Sequence, residues 1–154
     1  MSLAQAEADR LLKMARIFVD QAPLEFSETL PMNFVRELRS TDRREEFLLN
    51  FERGNKNRIR LKYQTRARRV IVLARLELNG PRHKNPPEAP YKPGEWIGGT
   101  HLHLYREGFE ERVAFELADA PDWEDGKAVK DILVFEEFMR FRGIAEWPLI
   151  QKTI

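Results

Sequence analysis

The sequence contains no cysteine, and this absence excludes disulfide bridges and thiolate metal ligands. It also has no run of about 18 apolar residues, which is the length that a membrane-spanning helix requires. The first residues are interrupted by acidic side chains where a secretory signal would be basic. From these absences we expect a soluble cytoplasmic protein without a membrane partner.

Acidic residues are missing from one long stretch, although the net charge of the whole chain is only +1. The stretch runs from Arg53 to Arg75 and carries nine basic residues, which create a local positive field. With 154 residues, 42% of them hydrophobic, the chain can bury a core without covalent cross-links. We therefore expect one domain over residues 1–154 with a strongly basic segment.

Hydrophobic periodicity predicts an α+β fold. Apolar residues at helical spacing predict one helix over 3–20 and another over 127–142, which ends at Gly143. Segment 22–42, between the first helix and the first predicted strand, is predicted to be an irregular connection with a short helical turn at 33–39. Alternation with a period of two predicts an antiparallel meander of four to five strands, with both helices packed on one face. The alternating segments lie within 45–64, 68–80, 100–107 and 112–117.

Residues 79–99 are predicted to form a long functional loop, because they hold five of the nine prolines and four of the eight glycines. The loop contains two aromatic residues, Tyr91 and Trp96. Such rings can stack on a nucleic-acid base, but pinning of the loop to the core is the interpretation we favour.

The only three histidines are His83, in this loop, and the pair His101 and His103. Side chains two residues apart on a strand point to the same face, so the pair is opposed to Leu102 and Leu104. If the strands pair in chain order, one open polar face collects side chains from three strands. Its expected members are Arg60, Lys62, Arg75, Glu77, His101, His103 and Tyr105. In the third strand, the same alternation predicts that Val70, Val72, Ala74, Leu76 and Leu78 share a face opposite Ile71 and Leu73.

A metal site is one hypothesis for this face. His83, His101 and His103 together have the nitrogen ligands of a catalytic zinc site. The histidine pair with Glu77 or Glu107 would instead be a two-histidine, one-carboxylate set. The neighbouring arginines oppose cation binding by Coulomb repulsion, so this hypothesis is the second alternative.

General acid and base catalysis on RNA is the leading hypothesis. A metal-independent endoribonuclease needs a base for the 2′ proton, an acid for the leaving 5′ oxygen and cations for the developing charge. We expect Glu77 to be the base, His101 or His103 the acid, and Tyr105 the orienting group, with no cofactor. Arg75 and Lys62 would hold the phosphate. The expected substrate-binding residues are Arg58, Arg60, Lys62, Arg66, His83, Asn85 and Arg106.

The first alternative is a non-enzymatic binding module that uses the basic strand to engage nucleic acid or an acidic partner protein. A further interpretation is purely structural, since histidines on a strand commonly hydrogen-bond a neighbour on a solvated sheet face.

Four segments between Phe47 and Leu117 form a recognisable set of motifs. They are F-L-L at 47–49, K-Y-Q-x-R at 62–66, R-L-E-x-N-G-P-x-H-x-N-P at 75–86 and H-x-H-x-Y-R-E-G at 101–108. In these motifs the chain resembles a family of small bacterial and phage-associated domains of uncharacterised function, a resemblance that implies no activity. The order helix, meander, helix also resembles RelE-type and barnase-like ribonucleases. That analogy is one of topology and does not fix function, but it favours RNA chemistry. The leading hypothesis is therefore a ribonuclease of toxin type, for which we expect a cognate inhibitor protein.

Overall fold

A large antiparallel sheet and two α-helices make up the fold in the computed structural model, which describes residues 2–27, 31–54, 59–121, 123, 131–144 and 146–153. The helices are α1 (Gln5–Lys13) and α2 (Asp131–Phe141), with a short 3-10 helix at Leu117–Asp119. In the described part of the chain, no helix is long and apolar enough to cross a membrane. The strands are β1 (Arg16–Phe18), β2 (Leu24–Ser27), β3 (Met32–Ser40), β4 (Glu46–Arg53), β5 (Leu61–Ala67), β6 (Ile71–Leu78), β7 (His83–Lys84), β8 (Trp96–Ile97), β9 (His101–Leu104), β10 (Ala114–Phe115) and β11 (Ile150–Thr153).

The main sheet has seven strands in the order β1-β3-β4-β5-β6-β9-β10, and all neighbours are antiparallel. Two small sheets accompany it, a parallel pair of β2 with β11 and an antiparallel pair of β7 with β8. The predicted α+β class is confirmed, and the predicted count of four to five strands is wrong. The additional strands of the main sheet are β1 and β3.

The segment that contains β1 and β3 was expected to be the end of a helix and an irregular connection. Helix α1 ends at Lys13, and β3 occupies the place of the predicted helical turn at 33–39. Phe34 and Leu38 are four residues apart, which suits a helix as well as a strand. In the structure they lie opposite Phe51 and Phe47 of β4. Pairing with a neighbouring strand therefore decided between two local conformations that the sequence pattern left equal.

A row of apolar side chains crosses the sheet and carries the core. Its members lie opposite one another in six successive strands, and α2 packs on it through Phe135, whose ring centroid is 5.5 Å from Phe51 and 5.3 Å from Tyr63. Residues of α1 belong to the same buried cluster, as expected for helices on one face. The row consists of Phe34, Phe51, Tyr63, Leu76, Leu102 and Phe115.

A β-bulge in β6 changes which of its residues face the core. Thr65 lies opposite Ala74, and the next residue of β5, Arg66, lies opposite Val72, so Leu73 is the extra residue. The bulge inverts the alternation, and Ile71 and Leu73 join Ala74 in the core. The prediction that Val70 and Val72 share a face with Ala74, Leu76 and Leu78 is therefore wrong for Val70 and Val72.

Arg16, at the start of β1, is fully buried and caps the C-terminus of helix α1. Its guanidinium donates hydrogen bonds to the main-chain carbonyls of Leu11, Leu12 and Met14 at the helix C-terminus, where carbonyls no longer have the amide four residues further on as a partner. It also lies 3.7 Å from the ring centroid of Phe47. Burial lowers the pKa of Arg16 to about 9, so the side chain remains charged at neutral pH and suits the negative end of the helix dipole.

We expect Arg16→Met to destabilise the fold by about 3 kcal/mol, because buried carbonyls lose a charged donor that no water replaces. Urea unfolding monitored by circular dichroism measures the change. Arg44→Met, which removes an exposed arginine from the turn between β3 and β4, is the matched control and should be nearly neutral. Equal, small effects of both substitutions would contradict the capping role.

Candidate functional site

The pairing of β6 with β9 places the predicted polar residues side by side. Glu77 lies opposite His101, and Arg75 lies opposite His103. These side chains are on the sheet face away from the apolar row, because Leu76 and Leu102 between them belong to that row. The strand order expected from the sequence thus brings the glutamate and the histidine pair together.

Three ligand-type atoms converge at this point. His101 Nε2 is 3.0 Å from Glu77 Oε2 and 3.0 Å from His103 Nε2, and His103 Nε2 is 3.5 Å from Glu77 Oε2. Among the described residues, this is the one group of histidine and acidic side chains whose ligand atoms could share a metal ion. We call Glu77, His101 and His103 the triad.

The other nitrogen of each imidazole contacts a main-chain carbonyl. His101 Nδ1 donates to Gly98 O at 2.6 Å, and His103 Nδ1 donates to Glu111 O at 2.8 Å. A carbonyl oxygen only accepts, so each Nδ1 carries a proton. The two Nε2 atoms face each other and the Glu77 carboxylate.

The charge states of the triad follow from its surroundings. Burial lowers the pKa of His103 to about 4, which keeps this imidazole neutral at physiological pH. The adjoining His101 imidazole, followed by His103 and the guanidinium of Arg75, lowers the pKa of Glu77 well below its ordinary range. The site therefore holds an ionised carboxylate beside two imidazole Nε2 atoms, an arrangement that a bound cation would complete.

The triad is enclosed, in contrast to the open polar face expected from the sequence. The exposed fraction is 0% for His101, 1% for His103 and 8% for Glu77. The cover is the small sheet of β7 and β8, which we call the ribbon. Its inward residue His83 packs its ring against the rings of His103 and His101, with centroid distances of 4.7 and 5.9 Å.

Contacts at both ends hold the loop over the triad. Asn85 exchanges hydrogen bonds with the main chain of Ala114, and Gly80 N donates to Gly99 O. A Cβ atom at Gly99 would overlap the carbonyl oxygen of Gly80, so only glycine permits this approach. Tyr91 pins the loop as predicted, because its hydroxyl donates to Asp119 and its ring packs on Phe115.

Cationic side chains border the triad on the side of Glu77, its most exposed member. Arg60 Nη2 is 3.6 Å from Glu77 Oε1, the carboxylate oxygen that points away from the histidines. Lys62 lies opposite Glu77 across β5 and β6. The buried Nε of Arg75 has no hydrogen-bond partner among the described residues. We call Arg60, Lys62 and Arg75 the cationic rim.

Several residues predicted to act at the site have structural roles instead. The hydroxyl of Tyr105 contacts the main chain of Leu3 at the start of α1, because β9 ends at Leu104 and the following residue turns toward the core. Asn85 is committed to the loop contacts already described, so it is not available to a substrate.

Other predicted residues are engaged outside the triad. Arg66 donates to Asn50 and to the carbonyl of Arg69. Arg106 donates to the Tyr105 carbonyl and lies over the ring of Phe115. Glu107, an alternative metal ligand, accepts from the amide of Gln5. Arg58 lies outside the described residues.

His83 is also outside the converging set, although it was expected to be a ligand. Its Nε2 donates to the carbonyl of Arg112 at 2.8 Å. Glu77 therefore takes the third place in the set. The sequence carried no signal for the carbonyls of Gly98 and Glu111, because main-chain acceptors are independent of residue type.

Comparison with known proteins identifies one match. A model described as "Family of unknown function (DUF6978)" matches residues 3–144. No curated protein and no solved structure matches the chain.

The enclosed triad makes the stability of the protein sensitive to acid. His103 has a pKa of about 4 in the folded state and 6.5 as its ordinary value, so the unfolded state takes up the proton first. The stabilisation is complete above pH 6.5 and is lost as the pH falls toward 4, by on the order of 3 kcal/mol. Glu77 acts in the same direction at still lower pH.

We expect the urea midpoint of the protein in a chelating buffer to fall between pH 7 and pH 4.5, and His103→Gln to flatten this dependence. If the urea midpoint of that variant fell equally steeply with decreasing pH, groups other than His103 would cause the pH dependence.

Proposed function

The chain belongs to this family of unknown function, DUF6978, and we propose from the geometry of the triad that it is a metalloprotein. Glu77, His101 and His103 bind one divalent first-row transition-metal ion. The observation that supports this is the convergence of two imidazole Nε2 atoms and a carboxylate oxygen, with each Nδ1 proton held by a main-chain carbonyl. Metal-ligating histidines almost always have such a partner on the other ring nitrogen.

The distances within the triad suit a common ion. Ligand atoms that each lie about 2.0–2.2 Å from a zinc ion are roughly 3.0–3.6 Å from one another in tetrahedral or octahedral geometry. The corresponding separations are 3.0, 3.0 and 3.5 Å. An additional proton on His101 Nε2 would be shared between two acceptors, Glu77 Oε2 and His103 Nε2. A metal ion would instead contact the two Nε2 atoms and Oε2 directly.

The charge of the rim is compatible with a bound cation. Arg60 contacts Oε1 of Glu77, and the histidines contact Oε2, so the carboxylate stands between the guanidinium and the proposed ion. This arrangement reduces the Coulomb repulsion between the neighbouring arginines and a bound cation.

A site with three protein ligands leaves a coordination position for water or substrate, which is typical of catalytic rather than structural metal sites. When bound, the metal would activate that water for hydrolysis. The rim residues Lys62 and Arg75 would hold the oxygens of an anionic substrate beside it, and a phosphodiester is the group that such cations fit best.

We expect isothermal titration with Zn²⁺ to give one site per chain, and Co²⁺ to give visible absorption bands from coordinated nitrogen. Glu77→Gln, His101→Ala and His103→Ala should each lower the Zn²⁺ affinity by roughly 100-fold, because each removes a ligand. His83→Gln is the matched control, since it changes the adjacent histidine outside the triad. Equal binding by the wild type and the variant that combines the three triad substitutions would overturn the proposal.

Metal-free cleavage of RNA is the second candidate, and the unbroken contact from Glu77 through His101 to His103 favours it. In this mechanism Glu77 is the base, a histidine is the acid, and Arg75 with Lys62 holds the phosphate. The ribbon would have to lift away, because both imidazoles are enclosed. The toxin-type role and the cognate inhibitor belong to this candidate, and the phage or defence association belongs to the non-enzymatic binding module.

A cleavage assay on RNA with and without a chelator separates the two candidates. Cleavage that survives chelation and is lost in His103→Ala would establish the metal-free mechanism. Cleavage that is abolished by chelation and restored by Zn²⁺ or Mn²⁺ would support the metal centre. Growth inhibition on expression, compared between the wild type and Glu77→Gln, tests the toxin-type role.

A further inference from the structure

The ribbon that covers the triad has a second, outward face. In its register His83 lies opposite Ile97, and Lys84 lies opposite Trp96. Ile97 is buried and His83 packs on the histidine pair, so these two form the inner face. Lys84 and Trp96 therefore point outward, and the indole of Trp96 is 55% exposed. This contradicts the expectation that Trp96 pins the loop to the core.

Two cations flank the exposed indole. The guanidinium carbon of Arg82 is 5.0 Å and Lys84 Nζ is 6.0 Å from the Trp96 ring centroid. Among the described residues, neither cation forms an ion pair or a hydrogen bond with an acidic side chain. Arg82 directly precedes β7 and Lys84 ends it, and both cations lie over the same ring.

Arg60, a member of the cationic rim, connects the base of the ribbon to the triad. Its side-chain atoms approach the position that a Cβ atom of Gly80 would occupy, with the nearest contact at 3.2 Å. Gly80 is at the base of the ribbon, and Arg60 reaches Glu77 from there.

We propose that the outward face of the ribbon binds single-stranded nucleic acid. An unpaired base stacks on the exposed indole of Trp96, and the phosphates on either side of it lie against Arg82 and Lys84. Base stacking on an exposed aromatic residue between cations is the usual mode of single-strand recognition. A duplex does not fit this face, because its bases are already stacked internally.

Fluorescence anisotropy with a fluorescein-labelled 12-nucleotide single-stranded RNA tests this inference. We expect Trp96→Ala to weaken binding about tenfold, and Trp96→Phe to remain close to the wild type because it keeps an aromatic surface. The double substitution Arg82→Ala with Lys84→Ala should weaken binding and lower the slope of log affinity against log salt by about 1–2. Arg44→Ala removes an exposed arginine elsewhere and serves as the control for net charge.

Stacking also has a spectroscopic signature. Single-stranded RNA should quench the intrinsic tryptophan fluorescence of the wild type, and Trp96→Phe should lose this quenching while it still binds RNA. The other tryptophans of the chain, Trp123 and Trp147, remain in that variant as an internal reference.

Three outcomes would overturn the inference. They are equal affinity of wild type and Trp96→Ala for the RNA, equal affinity for a duplex of the same length, and displacement of the RNA by polyglutamate at the same charge concentration. The last would identify a surface for acidic proteins. The inference goes beyond the metal centre, and its failure is distinguishable, because Trp96→Ala should leave Zn²⁺ affinity unchanged.

Discussion

The antiparallel register between β6 and β9 is the constraint on which the site depends. It places Glu77 opposite His101 and Arg75 opposite His103, with Leu76 and Leu102 on the other face. Because side chains alternate along a strand, a slip of one residue would move the carboxylate into the apolar row and the leucines under the ribbon. The same register therefore holds the core and assembles the triad.

The triad is a group of polar side chains that the fold encloses. Two imidazoles and a carboxylate are buried there, and their Nε2 and Oε2 atoms lie 3.0–3.5 Å apart. Burial of polar groups is tolerated when they have partners, and each Nδ1 atom has a main-chain carbonyl as its partner. Such an arrangement is typical of sites whose geometry serves binding or catalysis rather than packing. The ribbon covers the triad and exposes an indole on its other side.

Much of the fold follows from local pattern. The alternation in β4, β5 and β9 correctly identifies core and polar faces, and the helix before Gly143 ends at Phe141, with Gly143 in the left-handed conformation at φ 71°. Residues 127–130 of that predicted helix lie outside the described residues. The errors occur where long-range contacts compete with local preference. Pairing with β4 made 32–40 a strand, and the bulge at Leu73 reversed the faces of β6.

The sequence by itself determined which residue types share a face, because a period of two in a strand is a property of the backbone. It therefore placed Glu77, Arg75 and the histidine pair together before any distance was known. Only the tertiary structure decided that Glu77 rather than His83 completes the set, that the ribbon encloses the triad, and that Tyr105 contacts Leu3. The membership of the triad and its enclosure depend on how the loop 79–99 folds back and on which main-chain carbonyls surround the histidines. Contacts of that kind join residues far apart in the chain and leave no periodic trace in the sequence.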